Sequence, residues 1–124
     1  MTALSKIRLE LARTHEHPQG DGGIGYEFTA PLDDTGHIQP ELWHKSKDRC
    51  RVRRFRRGEE DDIGHLVRRP GGSWAFHYDI LSDNEGDESG YRFGDHVFKP
   101  GEYVSVSEDD ELQTYRVVRV DELR

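Results

Sequence analysis

Residues 66–80 read LVRRPGGSWAFHYDI, and this stretch does the most to determine the fold class. From residue 74 to residue 80 an aromatic or aliphatic side chain occupies every second position, which is the period of a β-strand with one buried face. The sequence Pro-Gly-Gly-Ser at 70–73 favours a tight turn between this strand and the apolar pair at 66–67. The stretch therefore predicts an antiparallel β-hairpin.

The same alternation recurs along the rest of the chain, and helical periodicity is scarce. The alternating segments are 7–11, 24–28, 49–57, 104–106 and 115–120. Turn-forming residues separate them at intervals of roughly 8 to 14 residues, as in an antiparallel meander. A proline-led segment indicates one short helix, since proline is tolerated in a first helical turn. The sequence predicts an all-β fold of about eight short antiparallel strands, with at most one short helix near 40–45.

The whole chain, residues 1–124, is predicted to be one β domain, because its length supports a single core and no linker divides it. Residues 14–23 (THEHPQGDGG) predict a mobile loop, and the acidic residues at 82–90 predict a second loop. A meander of this size closes as a barrel, stays partly open or forms a two-sheet sandwich. We favour a barrel, because closure removes strand edges that a chain with 35% charged residues would otherwise have to protect.

Residues 91–120 predict three consecutive strands, the first of them at 94–97. The pattern Gly-Asp-x-Val at 94–97, followed by Gly-x-x-Val-x-Val at 101–106, is similar to strand pairs in SH3-like and PUA-like small barrels. This resemblance implies a barrel, and it transfers no functional residue to the chain.

The formal charge of −7 predicts a soluble protein that is, on average, repelled by nucleic acid and by anionic membranes. The charge is unevenly distributed, because residues 45–57 carry eight basic side chains and one acidic one. Acidic clusters at 59–62, 83–88 and 108–111 supply much of the opposite charge. A single cysteine excludes an intramolecular disulfide, and the first residues lack the apolar core of a secretory signal. We therefore expect a cytoplasmic location.

The arginine-rich segment poses a packing problem. If Cys50 and Val52 point into the core, strict alternation also buries Arg54 and exposes Phe55. Burial of an unpaired guanidinium is costly, so we predict a β-bulge at 53–54 that returns Phe55 to the core. Cys50 is then a buried core residue rather than a reactive thiol.

The arginines of this segment have two interpretations. In the first, which we favour, they protect the strand and pair with nearby carboxylates such as those at 59–62. In the second, they form a cationic surface for single-stranded nucleic acid or another anion, with Trp43 or Tyr91 stacking on a base. The candidate anion-binding residues are Arg49, Arg51, Arg53, Arg56 and Arg68.

The histidines and acidic residues do not match a known set of metal ligands. His15 and His17 resemble the His-x-His of cupins in spacing, and Asp21 would add a carboxylate, but the other cupin ligands have no counterpart. Residues 83–88 place oxygen ligands at alternate positions, but the glycine that an EF-hand loop requires is replaced by Glu88. We therefore predict no metal ligands and no cofactor.

The sequence contains no motif of a catalytic nucleophile, a phosphate-binding loop or a dinucleotide-binding turn, so we predict no catalytic residue and no enzymatic activity. The favoured function is a non-catalytic binding or interaction module of a bacterial type, with a protein as its partner. Nucleic acid is less favoured, a membrane is not expected, and the oligomeric state is left open. A third hypothesis is a barrel that binds a small ligand in its interior. The residues that would line such a cavity are Tyr26, Phe28, Trp74, Phe76 and Tyr78.

Overall fold

The computed structural model describes residues 4–79, 88–91, 93, 96–108 and 111–123. Its antiparallel strands form a closed barrel, in which each strand pairs with the next along the chain and the last pairs with the first. The prediction of an all-β, barrel-like fold with a short helix at 40–45 is confirmed. The strands are β1 (Leu4–Leu11), β2 (Asp21–Pro31), β3 (Arg51–Phe55), β4 (Asp62–Arg68), β5 (Trp74–Tyr78), β6 (Glu88–Tyr91), β7 (Tyr103–Glu108) and β8 (Glu111–Glu122). The helix α1 (Pro40–Lys45) and a 3-10 turn (Lys47–Arg49) lie between β2 and β3.

Strands β4 and β5 form the hairpin predicted from residues 66–80. Its turn is closed by a hydrogen bond of 2.8 Å from the Arg69 amide to the Ser73 carbonyl. Gly71 and Gly72 have φ angles of +92° and +89°, a region that glycine enters without steric cost. The two glycines therefore set the turn that fixes the register of this hairpin.

Aromatic rings fill the interior of the barrel. The ring centroid of Phe76 lies 5.0 Å from that of Tyr26 and 5.3 Å from that of Phe28. Phe93 and Phe98 extend this cluster, and their rings meet edge to face at 5.3 Å. Three clefts walled by described residues contain none of the five aromatic residues of the interior-ligand hypothesis. All five side chains belong to the hydrophobic core, and binding of a ligand in the interior stays a prediction.

Helix α1 covers the end of the barrel where β4 ends and β5 begins. Its Trp43 is buried, donates a hydrogen bond of 2.9 Å from Nε1 to the Leu66 carbonyl, and meets the ring of Trp74 edge to face at 5.2 Å. Trp43 is therefore mainly a packing residue, and its exposed edge borders a surface cleft of about 430 Å³ that Arg68 also lines. The opposite end of the barrel, where β3 and β7 end, carries the cleft described below.

The predicted bulge in β3 is wrong. Strand β3 pairs with β2 and β4 in an unbroken register, with Val52 opposite Phe28 and Arg54 opposite Tyr26. Arg54 therefore lies on the inward side, as strict alternation requires, and its guanidinium reaches Asp62 at 3.7 Å. Asp62, the first residue of β4, provides a carboxylate that offsets part of the burial cost that motivated the bulge.

Phe55 is buried although it lies on the outer face of the sheet. Its ring lies below the guanidinium groups of Arg8 and Arg53, at 4.3 Å and 5.1 Å from the ring centroid. The partner of Phe55 on β2 is Gly25, where a Cβ would come within 1.9 Å of the Leu9 carbonyl oxygen. Because Gly25 has no side chain, the ring of Phe55 packs over it, and only 7% of Phe55 remains exposed.

Three predicted segment boundaries differ from the structure. Residues 21–23, predicted as part of the loop 14–23, belong to β2, because Asp21 already pairs with Leu11 of β1. Of the predicted acidic loop 82–90, residues 88–90 lie in β6, and 82–87 lie outside the described residues. His96 and Val97, predicted as strand, are not in a strand. We refer to residues 12–20, which connect β1 and β2, as the 12–20 loop.

Candidate functional site

The outer face of β3 carries arginines that are already paired with carboxylates. Arg53 donates hydrogen bonds of 2.7 Å to Asp61 and 2.9 Å to Glu27. Arg51 reaches Asp79 at 3.3 Å, and Asp79 also contacts the His65 ring at 2.9 Å. This geometry agrees with the interpretation that the arginines pair with neighbouring acidic residues, of which Asp61 belongs to the predicted cluster 59–62.

Glu27 is the centre of this surface network. Arg8 donates a second hydrogen bond of 2.9 Å to the carboxylate, and Lys6 lies at 3.8 Å. Partial burial by itself raises the pKa of Glu27, but the hydrogen bonds from Arg53 and Arg8 outweigh it, so the pKa lies below its ordinary value. The carboxylate is therefore ionised at neutral pH and neutralises the arginines on either side of it.

The structure separates the five candidate anion-binding residues. Arg51 and Arg53 share the outer face of β3, whereas Arg49 lies in the preceding 3-10 turn. Arg56 lies beyond the end of β3 and contacts a carboxylate inside the barrel mouth. Arg68 lies at the end of β4, with its guanidinium 5.7 Å from the Trp74 ring centroid. The five side chains therefore lie on different elements, anion binding by them stays a prediction, and the side chain of Tyr91 lies outside the described part of the chain.

A cleft of about 540 Å³ opens at the end of the barrel opposite α1. We call it the mouth cleft. It contains Glu108, the last residue of β7, which is only 8% exposed. The walls come from the 12–20 loop, the segment after β3 and the start of β8, and they consist of Leu11, Thr14, His15, Glu16, His17, Ile24, Arg56, Arg57, Glu59, Glu108, Glu111, Gln113 and Tyr115.

Two tyrosines hold the Glu108 carboxylate. The hydroxyls of Tyr26 and Tyr115 both donate to Oε2, the second at 2.5 Å, and the two rings meet edge to face at 5.2 Å. Arg56 approaches the other oxygen, Oε1, with Nη2 at 3.4 Å. An isolated buried carboxylate is strongly disfavoured, so these donors are what makes its position tolerable.

The mouth cleft has an excess of negative charge. Four of its side chains are glutamates, and its two arginines are both engaged with carboxylates. Arg56 contacts Glu108, and Arg57 donates a hydrogen bond of 2.6 Å to Asp21 outside the cleft. That hydrogen bond, together with one from the Gly23 amide, lowers the pKa of Asp21. The cleft therefore favours a ligand with positive charge over an anion.

The sequence did not identify Glu108 as a site residue, because Glu108 is the first of four acidic residues that predict a turn. The structure places it in β7, on the same face as buried Val104 and Val106. The spacing of positions 104, 106 and 108 could have indicated this, since residues two apart in a strand share a face. The hydroxyls of buried tyrosines also require partners, and Glu108 satisfies two of them.

The histidine pair has no metal-site geometry. His17 Nδ1 lies 3.9 Å from Asp21 Oδ2, and Asp21 is engaged by Arg57. Among the described residues, no group of three or more His, Cys, Asp or Glu side chains is placed to hold a metal ion. Cys50 is buried, as predicted, and burial raises the pKa of its thiol.

Comparison with protein-family models, with curated proteins and with solved structures found no match for this chain. Within the described residues, no helix has the length and apolar character needed to cross a membrane. Function must therefore be inferred from the chemistry of the sites themselves.

Proposed function

We propose that this protein is a non-catalytic barrel that binds a small molecule through a primary ammonium or similar cationic group in the mouth cleft. The observation that carries the proposal is the buried Glu108 carboxylate, held by two tyrosine hydroxyls inside a cleft of about 540 Å³. Ligand sites commonly have volumes of roughly 300 to 1,000 Å³ and contain a few fixed polar groups.

The two oxygens of Glu108 have different roles in this proposal. Oε2 accepts both tyrosine hydroxyls, which occupies the two lone pairs of that oxygen. Among the described residues, Oε1 has a single contact, of 3.4 Å with Arg56, so it retains capacity to accept a short hydrogen bond. An ammonium group that donates to Oε1 would form a charge-assisted hydrogen bond with an acceptor that is already oriented.

The remainder of the ligand is expected to be apolar and compact. Leu11, Ile24 and the ring of Tyr115 provide the apolar part of the wall. An aryl or alkyl group attached to the ammonium would pack against these side chains, while the glutamates at the rim attract the cation. The simplest ligand class is therefore a hydrophobic amine.

The hypotheses of a protein partner and of an anion-binding β3 stay predictions. Anion binding on β3 would require Arg51 and Arg53 to exchange their bonds to Asp79, Asp61 and Glu27 for bonds to phosphate. The mouth cleft needs no such exchange, because Glu108 Oε1 is not saturated. This difference is why we favour amine binding at the mouth.

A calorimetric titration with three probes of one shape tests the proposal. The probes are 2-phenylethylamine, the neutral 2-phenylethanol and the anionic phenylacetate. We expect the amine to bind most tightly, and Glu108→Gln to weaken amine binding by about tenfold or more, since a charged hydrogen bond is lost. Glu122→Gln, at an exposed position of β8, is the matched control and should leave the affinity unchanged.

Two results would overturn the proposal. One is equal affinity for all three probes. The other is an unchanged amine affinity in a Glu108→Gln protein whose NMR spectrum shows the native fold. The second result would reduce the Glu108–tyrosine cluster to a structural feature of the core.

A further inference from the structure

A second cleft lies outside the barrel wall and is separate from the mouth cleft. The 12–20 loop folds against the outer surface of β1 and β8 and leaves a groove of about 380 Å³. We call it the outer groove, and it shares only Leu11 with the mouth cleft. Its polar side chains are Glu10, Arg13, Gln19, Asp21, Tyr103 and Arg116.

The cations of the outer groove differ from those of β3. Arg13 and Arg116 are exposed, and no described carboxylate lies within ion-pair distance of either one. The two carboxylates of the groove are committed elsewhere, since Glu10 binds Arg8 at 2.7 Å and Asp21 binds Arg57 at 2.6 Å. The groove therefore presents two guanidinium groups that form no ion pair with a described carboxylate, although Glu10 lies directly opposite Arg116 in the pairing of β1 with β8.

An exposed aromatic ring lies beside these arginines. Tyr103 is 58% exposed, and in the pairing of β7 with β8 it lies directly opposite Arg116. Leu112, at 55%, is the other large apolar side chain with comparable exposure among the described residues. Exposed aromatic rings stack on nucleobases and arginines bind phosphate in many proteins that bind single-stranded nucleic acid.

Backbone hydrogen bonds within the 12–20 loop define its shape where it borders the groove. Gly20 has a φ of +76°, and a Cβ at this position would lie 2.6 Å from the Leu11 carbonyl oxygen. The His17 carbonyl accepts hydrogen bonds of 2.9 Å from the amides of Thr14 and Gly20. These contacts place Arg13 and Gln19 at the edge of the groove.

We infer that the outer groove binds a nucleotide unit, with Arg13 and Arg116 contacting the phosphate and Tyr103 stacking on the base. The shared chemistry is one phosphate and one base, supplied either by a free mononucleotide or by single-stranded nucleic acid. The inference does not rest on the proposed function, because the two clefts use different side chains. It moves the predicted anion site from β3 to a pair of arginines from separate parts of the chain.

An amide-shift NMR titration tests this inference on the full chain. The probes are AMP, oligo(dT) and inorganic phosphate, each at about 50 mM and about 200 mM salt. We expect salt-sensitive shifts at residues around Tyr103 and Arg116, and tighter binding of AMP or oligo(dT) than of phosphate. Binding of AMP alone identifies a mononucleotide site, whereas tighter binding of oligo(dT) identifies single-stranded nucleic acid.

Matched variants separate specific binding from general attraction. Arg116→Ser should weaken nucleotide binding by about tenfold, since a charged hydrogen bond is lost. Arg119→Ser removes the same charge from the same strand, but Arg119 is paired with Asp121 at 2.6 Å and lies outside the groove, so it should have little effect. Tyr103→Ser should weaken AMP binding and leave phosphate binding unchanged.

Three results would overturn the inference. They are the absence of shifts at low salt, equal losses in Arg116→Ser and Arg119→Ser, and equal affinity for AMP and phosphate. Glu108→Gln should leave nucleotide binding unchanged while it weakens amine binding. The outcome at the outer groove is therefore distinguishable from the outcome at the mouth cleft.

Discussion

The outer face of β3 and the mouth cleft both bring arginines into contact with carboxylates, but they use them differently. On β3 the contacts are exposed or partly buried, and Arg51 and Arg53 are each matched by at least one carboxylate. At the mouth, one buried carboxylate is held mainly by tyrosine hydroxyls and retains an oxygen with spare capacity. The dense arginines of β3 are thus matched by neighbouring carboxylates, whereas the buried Glu108 has one oxygen that accepts only a long contact from the described residues.

The largest expected effect is on stability, and it belongs to the β3 face. Phe55→Ala removes a buried ring from beneath Arg8 and Arg53 and should reduce the free energy of unfolding by about 3 kcal/mol. Leu112→Ala, at an exposed position, is the control and should change it by less than about 0.5 kcal/mol. Urea denaturation measures both, and similar losses in the two variants would contradict the burial of Phe55. The Phe55→Ala protein should still bind amine when folded.

The next largest effect is expected on the amine affinity of the mouth cleft. Tyr115→Phe removes one of the two hydroxyls that orient the Glu108 carboxylate and keeps the ring. Amine affinity should fall by a factor of about 5, corresponding to a net hydrogen bond of about 1 kcal/mol. Calorimetry with 2-phenylethylamine measures it, and Arg53→Gln on β3 serves as the control. If Arg53→Gln weakens amine binding as much as Tyr115→Phe does, the distinction between the two regions fails.

A smaller effect concerns the pH dependence of stability that Glu27 contributes in the β3 network. The pKa of Glu27 is lowered in the folded protein, so its contribution is fully present above the ordinary glutamate pKa. The contribution is lost as the pH falls through the lowered folded-state pKa, because the unfolded chain binds the proton more readily. Glu27→Gln should therefore flatten the acid side of the stability profile measured by urea denaturation at several pH values. An unchanged slope would show that the arginines do not depend on this carboxylate.

The smallest effect is expected for a single exposed ion pair. Arg51→Gln breaks the contact with Asp79, which lies where solvent and salt screen it. The free energy of unfolding should change by less than about 1 kcal/mol, and the difference should shrink further at high salt. A loss well above this value would mean that the β3 pairs act as one cooperative network.

The barrel could be predicted from the sequence because its strands alternate with a period of two and its turns carry glycine and proline. Alternation also gave the correct orientation of Arg54, but the predicted bulge overrode it. The prediction treated Arg54 as an unpaired buried charge. Its contact with Asp62 could not be foreseen, because that contact depends on the register of β3 against β4. The contact between Arg8 and the Phe55 ring also could not be predicted, since Arg8 belongs to another strand.

The candidate sites could be predicted less well, for the same physical reason. Glu108 meets Tyr26 across 82 residues of sequence, and only barrel closure brings them together. The outer groove likewise combines Arg13 of the 12–20 loop with Tyr103 and Arg116 of β7 and β8. A local cluster such as the arginines of β3 is conspicuous in the sequence, whereas a site assembled from distant strands requires the register.

The most direct test of the proposed site is to follow the side-chain carboxyl resonance of Glu108 by ¹³C NMR while 2-phenylethylamine is added. We expect a saturable shift of this resonance, accompanied by shifts of the Tyr115 ring, and no shift when 2-phenylethanol is added. A Glu108 resonance that stays in place while amine binds elsewhere, or while no amine binds at all, would contradict the account.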